Sequence, residues 1–235
     1  MRMNTGRLPK NLSQDPELAG RIGIFADRAD AGRVLAELLV GEDLPSPLLL
    51  ALPAGGVPVA AAAAARLGWP LTAAVVSKIL LPWNTEAGYG AVAWDGSVQL
   101  NRELLKRLGL EQAEIAAGID ATRQKVAART KQLMADGMLP DLTSRSAILV
   151  DDGLASGLTM LTAVAAVGNA GAKRIVVAVP TGHIEAVRLV AGDVDLVVCA
   201  NLRSRYPFAV AAAYRHWQDV TEQEARSLLN AAGAL

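Results

Sequence analysis

Two carboxylates, Asp151 and Asp152, end the short apolar run Ala147 to Val150 and are followed by Gly153, Leu154, Ala155, Ser156, Gly157, Leu158 and Thr159. The aliphatic run suits a buried strand. A turn of small residues lets backbone N–H groups face an anion, and a helix after it adds its positive dipole end. Paired carboxylates would repel a phosphate, so they should meet something neutral and rich in hydroxyls, or a metal ion. A ribose carrying a 5′-phosphate satisfies both halves. Asp-Asp-Gly by itself also describes a strand ending in a turn with a helix cap. The longer spacing through Gly157 and Thr159 favours the ligand-binding reading.

Four other places carry groups of chemical interest. The turn Ala54-Gly55-Gly56 separates an apolar run, Leu48 to Leu52, from an Ala-rich helix at 59 to 67. It is either a second anion-binding loop or a plain strand-to-helix connection, and it lacks the Lys-Ser/Thr of a P-loop and the G-x-G-x-x-G of a dinucleotide site. Lys78 follows the apolar strand Leu71 to Val76, where it either faces a ligand crevice or is solvated. The segment Leu81 to Gly90 is rich in breakers and holds Glu86 and Tyr89, and it leads to a strand at Ala91 to Trp94, a turn at Asp95-Gly96 and a strand at Val98 to Leu100. Arginines and rings (Arg203, Arg205, Tyr206, Phe208) follow the last core strand, fitted either to a planar ligand or to edge packing.

The stretch from Ile148 to Met160 resembles the phosphoribosyl pyrophosphate (PRPP) motif of the type I phosphoribosyltransferases, and the chain looks like a stand-alone member of that family. The resemblance implies that Asp151 and Asp152 hold the ribose 2′- and 3′-hydroxyls, and that Gly153, Ala155, Ser156, Gly157, Leu158 and Thr159 wrap the 5′-phosphate. By the same resemblance Ala54, Gly55, Gly56 and Lys78 receive pyrophosphate, Glu86 and Tyr89 lie on a flexible loop that closes over the site, and Tyr206 and Phe208 belong to an acceptor hood. Mg²⁺ is expected with PRPP, with Asp151 or Asp152 as a protein contact. Two positions depart from the family pattern: Ala54, where relatives often carry a basic residue, and Ala155, where many carry Thr. They leave open a second function, a sensor or regulator that binds PRPP or a nucleotide without turnover. A third reading, metal-dependent phosphatase or kinase chemistry, lacks further acidic ligands.

The elements that must position these groups alternate strand and helix through the second half: a strand at Arg174 to Val179, a helix at Glu185 to Val190 and a strand at Asp195 to Cys199. That alternation predicts an open parallel α/β sheet flanked by helices, of Rossmann-like, phosphoribosyltransferase-like type. One such domain is expected over 23 to 220, with a charged helical insertion or flap at 101 to 140 and a hood segment at 201 to 220. An irregular arm at 1 to 22 precedes it, and a C-terminal helix at 221 to 235 follows. Before the first core strand, Asp30 is placed to cap a helix carrying Val34, Leu35, Leu38 and Leu39. The basic residues Arg123, Lys125, Arg129 and Lys131 read as a solvated helix face.

Composition narrows the classes further. The 235 residues are 52% hydrophobic, with 23 basic and 23 acidic side chains, so no global field draws the chain to nucleic acid or an anionic membrane. The N-terminus lacks the apolar core of a signal peptide and no run is long enough to span a bilayer, so a cytoplasmic enzyme is expected, with room for a homo-oligomer. Cys199 alone permits no internal disulfide and reads as a buried thiol, while two histidines, His183 and His216, without paired spacing give no zinc site.

Overall fold

The computed structural model of the chain describes residues 7–134, 137 and 139–233, with the side chains of residues 85 and 86 undescribed. The aliphatic runs become strands β2 (Pro47–Ala51), β7 (Ser146–Val150), β8 (Arg174–His183) and β9 (Leu196–Arg203). With β1 (Leu12–Gln14) and β3 (Leu71–Ala73) they form a six-stranded sheet in the order β1-β9-β8-β7-β2-β3. Every pairing in it is parallel, as expected from sequence. Both faces of such a sheet must be covered, and the strand residues divide accordingly. Leu49, Ala51, Ile148, Val150, Val176 and Ala178 join one core with helices α1 (Arg28–Val40) and α2 (Gly56–Leu67). Their neighbours Leu48, Leu50, Ala147, Leu149, Val177 and Val179 join the other with α5 (Leu158–Asn169) and α6 (Ile184–Ala191).

Several expectations need correction. The strand expected at Leu71 to Val76 is two strands: β3 stops at Ala73, and β4 (Val76–Leu81) enters a separate antiparallel sheet. The segment expected to be a flexible loop belongs largely to β5 (Asn84–Ala93), the middle strand of that sheet, which pairs with β4 and with β6 (Val98–Leu100). Cross-strand hydrogen bonds satisfy a backbone that its Gly and Thr residues would otherwise leave open. The stretch 1 to 22 was expected to be irregular, yet β1 docks on β9, and the Asn11 amide donates to the carbonyls of Ala191 and Val194 at 3.0 and 2.9 Å. Helix α1 is capped by Asp27, whose carboxylate accepts the Asp30 amide, so Asp30 lies in the first turn instead of at the cap.

The charged region contains α3 (Arg102–Leu108) and α4 (Gln112–Leu133), the latter lying on β4 and β5. Arg129 is not solvated as expected: it donates to the Val76 carbonyl and the Ser77 hydroxyl and pairs at 2.6 Å with Glu222 of α7 (Glu222–Ala231). Cys199 is fully buried, and burial pushes its thiol up to about 12. No helix among the described residues is long and apolar enough to cross a membrane.

Candidate active site

Adjacent strands β2 and β7, in register from Pro47 and Ser146 to Ala51 and Val150, deliver the two loops of interest to the same edge of the sheet. The 54–56 turn leaves β2 and the Asp151–Gly157 loop leaves β7, so they meet at the carboxyl ends of parallel strands, where open α/β sheets bind ligands. The approach is so close that a Cβ on Gly56 would lie 2.5 Å from the Val150 carbonyl oxygen and 2.9 Å from Asp151 Cα. A Cβ on Gly55 would overlap the Asp152 carboxylate. Glycine at both positions is therefore a condition of the two loops touching. The Pro53–Ala54 peptide at this junction is cis.

The Asp151 loop is also pinned from its other side. The Leu154 amide donates to the Thr181 carbonyl, and the His183 amide donates to the Leu154 carbonyl, both at 2.9 Å. Gly153 lies against Val210 and Thr181 with no space for a side chain. Gly157 takes φ +81°, a left-handed conformation that admits glycine readily, and serves as N-cap of α5. Ala155 and Ser156 are exposed, and Leu158 and Thr159 are half-buried in the first helical turn. First-turn amides lack intrahelical partners, so this end of α5 can receive an anion.

Burial, and then the charge of Asp152, hold the Asp151 carboxyl well above its usual range; the Asp152 amide donating to it and the charges of Lys78 and Arg28 oppose the shift. Asp152 is also raised by burial, against the pull of Arg28. Arg28 has no sequence signal of its own. From the first turn of α1 its Nε donates to Asp152 Oδ2 at 2.9 Å, its Nη1 donates to the Gln218 carbonyl at 2.6 Å, and its guanidinium lies 3.8 Å from the ring centre of Trp217. The Tyr214 hydroxyl donates to the Asp152 carbonyl at 2.5 Å, and its ring touches those of Phe25 and Trp217. Burial, with the Asp152 charge second, pushes that phenol upward.

The remaining expected residues are placed unevenly. Lys78 is exposed in β4, opposite Ala91, and is not at the end of a buried parallel strand, but its charge reaches Asp151. Tyr89 is 1% exposed in β5, with its hydroxyl against Gly118 of α4, so it is a core residue and not a loop contact. The Glu86 side chain lies outside the described residues. Tyr206 and Phe208 gather on His183, at ring separations of 4.3 and 5.5 Å, beside the strand that pins Leu154. The described residues contain no cluster of three His, Cys, Asp or Glu able to hold a metal. Hard carboxylate oxygens at Asp151 do suit Mg²⁺ if a bound substrate and water supply its other ligands.

Comparison with known proteins agrees with this architecture. Residues 94–211 match the phosphoribosyl transferase domain model. Two Mycobacterium tuberculosis proteins, from strains CDC 1551 and H37Rv, carry a provisional phosphoribosyl transferase name and are 35% identical over 213 residues, covering 89% of this chain and 47% of theirs. The chain thus spans about half the length of the curated relatives it matches. The crystal structure of a Thermus thermophilus protein superposes with a TM-score of 0.69 at 33% identity, covering 87% of this chain and 97% of that one. With the acidic pair, its glycine-bound loops and this shared fold, the chain belongs to the phosphoribosyltransferase family.

Proposed function

We propose that the protein transfers the 5-phosphoribosyl group of Mg²⁺-bound PRPP to a nitrogen nucleophile such as a nucleobase. The C1–O bond to pyrophosphate breaks, a C1–N bond forms, and the nucleophile gives up a proton. The observation that carries the reading is the meeting of Gly55 and Gly56 with Asp152 and Asp151, which sets a sugar-binding carboxylate pair beside a backbone loop fit for pyrophosphate. In this arrangement the acidic side holds the ribose and favours its developing positive charge, while the 155–159 turn takes the 5′-phosphate. The 54–56 loop and Lys78 take the leaving group. Such a site works by positioning and fixed dipoles and needs no covalent intermediate. Asp151 would touch the Mg²⁺, which neutralises diphosphate charge when bound. Tyr206 and Phe208 are the residues proposed to bound the acceptor.

Incubation with Mg·PRPP and a panel of nucleobases tests the proposal by pyrophosphate release. Release with at least one base, lost in Asp151→Asn, is the expected result; binding of PRPP with no release across the panel would instead establish the sensor reading, which Ala54 and Ala155 favour.

A further inference from the structure

The family pattern gives both carboxylates to the sugar, but their surroundings differ. Asp152 is enclosed: Arg28 occupies Oδ2, Tyr214 holds its carbonyl, and Gly55 stands directly behind its carboxylate. Arg28 itself is 9% exposed and fixed by three groups, the Asp152 carboxylate, the Gln218 carbonyl and the Trp217 ring. A planar guanidinium held on that many sides has little freedom to release its carboxylate. Asp151 makes no ion pair among the described residues. Its Oδ1 accepts the Asp152 amide at 2.8 Å.

We infer that Arg28 is a positioning residue that divides the acidic pair, fixing Asp152 as a neutralised wall and leaving Asp151 as the carboxylate that meets the sugar. The inference rests on the ribose-phosphate reading of the site. It assigns the 214–218 segment a role as well, because Tyr214, Trp217 and Gln218 hold the Arg28–Asp152 pair from outside the motif. A carboxylate locked to a guanidinium adds little net field to a cationic sugar, whereas Asp151, with no ion pair among the described residues, is left to meet the ligand.

Titration calorimetry of Mg·PRPP against the wild type, Asp151→Asn, Asp152→Asn, Arg28→Met, Arg28→Lys and the Arg28→Met/Asp152→Asn double variant tests this. Asp151→Asn should weaken binding by about 100-fold and Asp152→Asn and Arg28→Met by about tenfold each, as for loss of hydrogen bonds to charged groups. The double variant should bind no worse than either single, and Arg28→Lys should recover part of the loss. Equal losses in Asp151→Asn and Asp152→Asn, or Arg28→Met binding like wild type, would overturn the division.

A denaturation cycle on Arg28 and Asp152 reads the clamp without ligand. Coupling of about tenfold or more in the folding equilibrium supports it, and strict additivity overturns it. Should Arg28→Met fail to fold, the cycle with Arg28→Lys decides in its place. A wild type that binds no Mg·PRPP sinks the ribose-phosphate reading itself, whereas normal binding with an additive cycle sinks the division alone.

Discussion

Asp151 carries the sharpest consequence for single substitutions. Its folded carboxyl is raised above the ordinary 3.8 by burial and then by Asp152. The folded protein therefore keeps a proton that the unfolded chain releases, and the associated stability is present below 3.8 and lost as pH rises through the raised value. Ligand-free Asp151→Asn should be more thermostable than wild type at neutral pH, with the gap closing on acidification toward 3.8; melting curves over that window that run parallel would refute the assignment. Gly56 is constrained by backbone, not by a flexible side chain, so Gly56→Ala should cost about 1–3 kcal/mol in denaturant unfolding and abolish PRPP binding. Cys199, buried and raised to about 12, should resist thiol reagents until the protein unfolds. The motif residues could be found in sequence because strand, acidic pair and small-residue turn are contiguous there. Arg28 could not, since the atoms it joins lie 124 positions apart and no spacing rule reports such a pair.

Among the elements, the helices and core strands were legible because aliphatic runs of four to six residues bounded by turn residues suit buried strands, and the Ala-rich or periodic apolar stretches after those turns suit helices. What escaped was pairing. The 81–90 segment reads as a loop by composition, yet β5 forms there because β4 and β6 supply its hydrogen bonds, information that lives in the partners. That pairing moved Tyr89 from an expected loop contact to a buried position under α4, and moved Lys78 out of the parallel sheet. Arg129 shows the same limit on a helix: its sequence neighbours suggest a solvated face, whereas its side chain joins α4 to β4 and α7. Arg129→Met leaves the Val76 carbonyl and the Glu222 carboxylate without that partner. It should lower unfolding free energy by about 2–4 kcal/mol, and a change below about 1 kcal/mol would show that the junction is solvated.

For the molecule as a whole, any ligand that binds the folded site alone must raise the melting temperature as its concentration passes the dissociation constant. Mg·PRPP at about 100 times that constant should stabilise by about 2.7 kcal/mol, and the same concentration should stabilise Asp151→Asn, with its roughly 100-fold weaker binding, by only about 0.4 kcal/mol. The six-stranded sheet ends at β3 on one side, next to the β4 hairpin, and at β1 on the other. Strand β1 is three residues long and covers Val197, Val198 and Cys199 of β9, all fully buried. A chain trimmed past Gln14 would uncover a straight row of amides and carbonyls flanked by apolar side chains. Such an edge recruits other strands, so the shortened protein should self-associate at concentrations where the full chain does not.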